Sequence, residues 1–346
     1  MKNGPVVQYN SNRLIGIELE FDAGNMSFNL PSPMPDGWHA INDGSLRNGK
    51  EIVMTHPVQF SELFPVVQRL SRGLIMAKTG INRRGGFHVH VGGEGWVPES
   101  AYRVAMIYTH FQRVINKLVG ESRVDNRFAS SFSQTMSEHE YYGMFSLHSP
   151  ATTRAQAKST RAYRVVNPAS VRCIDPAIRS VEFRQGSPSK HTVNIMGWTA
   201  FLVVLSDIAI ENGSIYASLS ESEKSIEGLS RFVELQEIAN GGSNVSAWIE
   251  WRYNYMNELP KNWESEMTKL CSVISSRNRG IVGISQAMNM PYPQVVKLLK
   301  KGIELGCVCE DGGKYHSNYN ENQAQADLNA MVAFDANPVD VSVIVD

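Results

Sequence analysis

From residue 13 to residue 22 the chain reads Arg-Leu-Ile-Gly-Ile-Glu-Leu-Glu-Phe-Asp. Apolar and polar residues alternate with a period of two, the pattern of a strand with one buried face. Ile15, Ile17, Leu19 and Phe21 fall on a core face, and Gly16, Glu18, Glu20 and Asp22 on the other. The same period recurs at 50–55, where Glu51 alternates with Ile52 before Pro57 ends the run. It recurs again at 86–92, where Phe-His-Val-His-Val sets His88 and His90 on one face, and at 179–185, where Glu182 and Arg184 share a face. Shorter strands are predicted at 38–41 and 163–167, and Asp43-Gly44-Ser45 reads as a turn. Helical spacing separates these strands. Leu63, Val66, Val67, Leu70 and Leu74 predict a helix capped by Ser61 and running to about Lys78, and Pro98 opens a helix to about Leu118. The apolar run 198–210 is interrupted by Thr199, Ser206 and Asp207 and is shorter than the roughly 20 residues a spanning helix requires, so a buried core helix is expected. Residues 23–37 read as a loop. The stretch 130–161 lacks sustained periodicity, and a substrate-covering loop and an ordinary surface excursion fit it equally.

Beyond residue 220 the pattern turns helical. Residues 245–256 carry Trp248, Trp251, Tyr253 and Tyr255, aromatic residues expected to pack in a core. A helix over 262–274 is followed by 281–288, a turn at Asn289-Met290-Pro291, a helix over 292–305, and two short strands around Asp311-Gly312-Gly313. With Ile284, Met288, Val295, Leu298 and Leu299 as its core, this order resembles winged helix-turn-helix domains over about residues 264–318. The expected organisation is residues 1–259, then 260–319, then a tail over 320–346 whose apolar end, 339–345, could add a strand to the sheet of a second copy in a homo-oligomer.

Composition narrows the function classes. The chain has 346 residues, 42% of them hydrophobic, enough for a sizeable core. A formal net charge of −1 carries no global nucleic-acid signature, so any basic surface is local. Over 261–318 positive side chains exceed negative ones by 8 − 5 = 3. Gln294, Lys297, Lys300 and Lys301 are the candidate nucleic-acid contacts there, against a protein-docking or substrate-presenting role for the same unit. Residues 1–12 are polar, and the four cysteines lack zinc spacing. A cytoplasmic protein without a membrane segment is expected.

The candidate chemistry lies on the polar strand faces. Carboxylates at i and i+2 are only about 6–7 Å apart, and unscreened like charges raise each other's pKa. A divalent cation relieves that conflict; an exposed polar face on an edge strand is the alternative. Paired imidazoles at His88 and His90 suit metal ligation or contact with a charged substrate, or are simply satisfied polar residues. Glu182 and Arg184 could pair with each other, or hold a cation and a phosphate together.

Five motifs in order over about residues 13–212 carry a family resemblance: Gly-Ile-Glu-Leu-Glu (16–20), Asp-Gly-Ser-Leu (43–46) followed by Glu51, Gly-Phe-His-Val-His-Val (86–91), Arg123 with Asn126, and Val-Glu-Phe-Arg (181–184). Together they resemble the amidoligase family, relatives of the carboxylate–amine ligases that include glutamine synthetase and glutamate–cysteine ligase. The resemblance implies an α+β fold of glutamine synthetase type, with a curved, mainly antiparallel sheet, helices on its outer face, and ATP with magnesium (or manganese) on the concave face. It implies Glu18, Glu20, Glu51, His90 and Glu182 as metal ligands, with His88 less firmly placed at the catalytic centre. It implies Arg184 on phosphate, Arg123 on nucleotide or the transferring phosphoryl group, Asn126 orienting one of them, and Asp43 taking the amine's proton. The implied activity is ATP-dependent amide-bond formation between an acid and an amine, small molecules or peptides, through an acyl phosphate. A metal-dependent small-molecule kinase and a nucleic-acid-binding or scaffold protein whose ligase-like domain does not turn over are the rival classes.

Overall fold

The computed structural model describes residues 4–22, 29–43, 46, 49–80, 85–124, 129, 166–167, 171, 173, 175–211, 224–257, 263–276, 280–304, 308–311 and 314–317. Asn126, the Gly44-Ser45 turn, the 130–161 stretch, Gly312-Gly313 and the tail from 320 lie outside them. The chain forms two compact units, Met1–Asn254 and Tyr255–Asp346.

The first unit is α+β. Strands β1 (Leu14–Asp22), β2 (Trp38–Ile41), β3 (Gly49–Met54), β5 (Phe87–Gly92), β6 (Val166–Asn167) and β7 (Ser180–Gly186) form a sheet in the order β2-β3-β1-β5-β7-β6, and the short β4 (Val58–Gln59) pairs with the start of β1. Every pairing among the described residues is antiparallel. Alternation divides the sheet as predicted. Ile15, Ile17, Leu19, Phe21, Ile52, Phe87, Val89, Val91, Val181 and Phe183 are all at most 1% exposed and join one core with the helices. That core holds α1 (Leu63–Met76), α2 (Pro98–His110), α3 (Gln112–Ile115), α4 (Thr192–Glu211), α5 (Ile226–Ala239) and α6 (Val245–Asn257). The helix α4 packs against α1, α2, α5 and β5. By length and composition alone it could cross a bilayer, yet 89% of its apolar window is buried inside the protein, the place expected for the 198–210 run.

Three local expectations are corrected. Ser61 does not cap α1; it lies in a 3-10 turn, Phe60–Glu62, and Glu62 occupies the cap position without a side-chain bond. The turn buries Phe60, an apolar anchor that outweighs the hydroxyl cap. The same helix stops at Met76 because Lys78 takes a left-handed conformation at φ 55°, and Thr79 N–H closes back on Leu74 O at 3.0 Å. The helix from Pro98 breaks at Phe111 (φ −91°, ψ 6°). Phe111 stays fully buried through the break, and Gln112 reaches Gln185 at 2.9 Å.

The N-terminal segment is tied to α4 by a buried polar knot. Asp207 accepts from Tyr9 Oη (3.1 Å), Ser11 Oγ (3.0 Å) and Arg13 Nε (2.6 Å). Asn240, at the end of α5, donates to Tyr9 Oη at 2.7 Å. Burial, with Asp207's charge beside it, pushes the Tyr9 phenol well above its ordinary range. Glu237 is buried and holds the start of α6 through Ser243, Val245 N–H and Ser246. Trp248 is 1% exposed, so this aromatic of α6 does pack in the core.

In the second unit, α7 (Trp263–Ser276), α8 (Ile281–Met288) and α9 (Tyr292–Glu304) precede the hairpin β8 (Val308–Asp311) and β9 (Lys314–Ser317), whose register pairs Asp311 with Lys314. Ile284, Met288, Val295, Leu298 and Leu299 are buried together with Met267, Leu270 and Ile274. Asn289 ends α8 at φ 51°, a left-handed position that asparagine tolerates better than most residues.

Candidate metal and phosphate centre

The polar face of the sheet brings the predicted strand residues together because of its register. Glu20 stands opposite Glu51, Glu18 opposite His88, and His90 opposite both Gly16 and Glu182. With strands about 4.8 Å apart, side chains far apart in sequence become neighbours. The buried His88, 2% exposed, is the hub. Its Nδ1 lies 3.2 Å from Glu18 Oε2 and 3.8 Å from Glu182 Oε1, and its Nε2 lies 3.6 Å from Glu20 Oε1. The Nε2 of His90 lies 3.0 Å from Glu18 Oε1. Arg184 Nη1 pairs with Glu182 Oε1, the first of the two arrangements open to these side chains.

Two groups have donor atoms that all lie within 4.8 Å of one another, Glu18–His88–Glu182 and Glu20–Glu51–His88. Either could hold a metal ion. Both use His88, placed by the resemblance at the catalytic centre, whereas His90 belongs to neither and contacts Glu18 instead.

Charge is unevenly distributed across the cluster. Burial would raise the Glu18 carboxyl, but hydrogen bonds from His88 and His90 and their charge outweigh it and hold the group far below the usual carboxylate range. Glu51 goes the other way, pushed up to about 8 by burial, then by Glu18, Asp43 and Glu20. Asp43 is thus electrostatically part of the site, half-buried beyond the end of β2. A carboxyl driven to hold its proton by other carboxylates marks an excess of negative charge, and hard oxygen donors with one imidazole suit Mg²⁺ or Mn²⁺. On both counts the residues present fit a divalent cation.

One neighbour carried no signal in the sequence. Asn167 is buried opposite Glu182 and donates Nδ2–H to its Oε2 at 2.7 Å, which orients that carboxylate. An amide at the end of a weakly patterned two-residue strand is invisible until the strand is paired. Gly86 lies against the cluster: a Cβ there would meet Glu20 Oε2 at 2.5 Å, His88 Nε2 at 2.9 Å and Arg123 Nη2 at 3.1 Å. Arg123 itself is 2% exposed, and its guanidinium donates to the main-chain oxygen of Arg184. In the second unit, Lys300 is exposed on α9, Lys301 and Gln294 are half-buried, and Lys297 donates to Tyr255 O at 3.1 Å.

No curated protein matches the chain. A family model described as "Putative amidoligase enzyme" matches residues 39–206, a stretch that begins in β2 and ends within α4. It takes in Glu51, His88, His90, Arg123, Glu182 and Arg184, while Glu18 and Glu20 enter the same cluster through β1. Residues 39–206, which carry most of this cluster, thus match the amidoligase family of enzymes.

Proposed function

We propose that this protein is an ATP-dependent carboxylate–amine ligase of glutamine synthetase-like fold that activates an acid as its acyl phosphate and transfers the acyl group to an amine. The observation that carries the reading is the pair of donor groups sharing His88 on one sheet face, next to the Glu182–Arg184 pair. Glu18, Glu20, Glu51, His88 and Glu182 would hold divalent cations, which supply charge neutralisation for phosphoryl transfer. Arg184, with its planar fork, would bind phosphate oxygens once the cation shares Glu182. Asp43, beside the cluster, would accept the amine's proton. The reaction class is tested by incubating the chain with ATP, magnesium and panels of acids and amines. ADP together with a new amide mass supports it; ADP with a phosphorylated substrate and no amide would make it a kinase.

Metal binding should release protons. Below about pH 8 metal-free Glu51 retains its proton, and a ligating carboxylate must give it up. Affinity for Mn²⁺ is therefore expected to rise with pH up to about 8 and then level. Because the folded-state pKa is raised, the metal-free protein binds the extra proton when folded, and this group's contribution to stability falls as pH rises from 4.5 to about 8. Calorimetric titration in buffers of different ionisation enthalpy measures the proton count, and a buffer-independent heat at pH 7 would contradict the prediction.

A second reading concerns the C-terminal unit. Its order, α7, α8, the left-handed Asn289, α9 and the β8–β9 hairpin, supports a winged helix-turn-helix that brings nucleic acid or a nucleic-acid-linked substrate. Lys300 and Lys301 would then act on phosphates, with Gln294 at the start of α9 toward bases. Lys300→Ala with Lys301→Ala should weaken binding to duplex probes irrespective of sequence, and should flatten the log–log salt slope by about 0.9 per lost contact. Fluorescence anisotropy at several salt concentrations reads both effects. Wild-type protein without salt-sensitive binding would leave the unit as a protein-docking module.

A further inference from the structure

The resemblance places Arg123 on nucleotide, but its surroundings describe a different task. A residue that grips a phosphate needs donors open to the ligand, and Arg123 is 2% exposed. One of its donors is committed to Arg184 O, and its Nε has no hydrogen-bond partner among the described residues. Its own carbonyl accepts from Gln185 Nε2 at 3.3 Å. Gln185, wholly buried, is itself locked: its Oε1 accepts from Tyr108 Oη (2.8 Å) and Gln112 Nε2 (2.9 Å), and its Nε2 donates to Asn116 Oδ1 (2.6 Å). Arg123 is thereby fixed to the back of β7 and to the helices behind it.

The guanidinium looks toward Glu20. Arg123 Nη2, Glu20 Oε2 and His88 Nε2 all lie within 3.1 Å of the point where a Cβ of Gly86 would stand. No ion pair within 4.0 Å joins Arg123 to Glu20 among the described residues; they face each other across the glycine. Desolvation lowers the pKa of this guanidinium, and the charge of Glu20 works against that loss. An isolated buried cation is costly in proteins, so its retention implies a counter-charge, and Glu20 supplies the carboxylate crowding Gly86.

We propose that Arg123 is a buried counter-cation that faces Glu20 across Gly86, offsets the cluster's negative charge in place of a metal ion, and is anchored on the main chain of Arg184, with no contact to nucleotide. The inference rests on the reading of Glu20, Glu51 and His88 as a metal group. It makes a prediction opposite to that for a nucleotide contact, since removing the positive charge should strengthen the hold on a second cation.

The test uses the full chain with Arg123→Gln and Arg123→Lys. Binding of Mn²⁺ alone is followed by electron paramagnetic resonance, and binding of a nonhydrolysable ATP analogue by calorimetry at saturating Mn²⁺. For Arg123→Gln, Mn²⁺ affinity is expected to rise about fivefold or more, with analogue affinity within about twofold of wild type. Arg123→Lys retains the charge and should change neither by more than about twofold. Unchanged or weaker Mn²⁺ binding in Arg123→Gln, or analogue affinity falling about tenfold in either variant, overturns the proposal. Should Arg123→Gln not fold, Arg123→Lys decides alone, with conserved affinities as support and a tenfold loss for the analogue as refutation. Wild-type protein that fails to bind Mn²⁺ sinks the metal reading and the inference with it, an outcome distinct from binding that Arg123 does not affect.

Discussion

Glu18→Gln and Glu182→Gln are each expected to reduce Mn²⁺ affinity by at least about a hundredfold, since loss of a mere outer-shell partner already costs 10–100-fold, and to abolish cation-dependent binding of an ATP analogue. Both residues belong to the donor group Glu18–His88–Glu182. An amide keeps the size of the carboxyl but presents one neutral oxygen and an NH₂ group that cannot ligate. At Glu18 the change also disturbs two imidazoles, because its oxygens meet His88 Nδ1 at 3.2 Å and His90 Nε2 at 3.0 Å. At Glu182 it leaves Arg184 facing a neutral partner, with Asn167 still within reach. The fold should survive, because the core face of β1 and β7 is untouched, and relief of carboxylate crowding should lower the pKa of Glu51 in Glu18→Gln. Calorimetry with and without metal separates the two effects. Wild-type affinity in both variants would take the metal away from these residues.

Asp207→Ala is expected to destabilise the first unit by about 3–5 kcal/mol, the usual cost of breaking a buried charge pair by removing one partner. The carboxylate of Asp207 is 5% exposed and answers three donors at once, Tyr9 Oη, Ser11 Oγ and Arg13 Nε. Alanine would strand the Arg13 guanidinium, whose remaining acceptor among the described residues is Glu94 O, and would leave two hydroxyls without the carboxylate they donate to. At about 2–4 °C per kcal/mol for a unit of this size, the melting temperature should fall by roughly 6–20 °C. The consequence reaches the site, because Arg13 leads directly into β1, which carries Glu18 and Glu20. Asp207→Asn should cost less, as its amide oxygen can still accept from Arg13. Thermal and urea unfolding check the prediction, and a loss under about 1 kcal/mol in Asp207→Ala would show that water replaces the carboxylate.

Whatever depends on local period was legible in the residues alone. Alternation in β1, β5 and β7 decided which side chains face the core and which face the site, because a strand repeats every two residues whatever it pairs with. Helical spacing and Asn289-Met290-Pro291 likewise located α8 and α9 to within a residue at their ends, and placed Ile284, Met288, Val295, Leu298 and Leu299 in a core. The motif order carried the family resemblance and most of the cluster. Adjacency was not legible there and came from packing. His88 rather than His90 belongs to both donor groups because β5 pairs with β1 so that His88 meets Glu18, a register set by chain segments some 70 residues apart. Asn167 became a partner of Glu182 for the same reason. Burial was equally unreadable: nothing local to Arg123 distinguishes an open phosphate ligand from a cation sealed behind Gly86, and nothing local to Lys297 says that its ammonium is spent on Tyr255 O. Pattern is a property of one strand or helix, whereas proximity and desolvation are properties of the elements packed around it, and the chemistry of this site is set by the second.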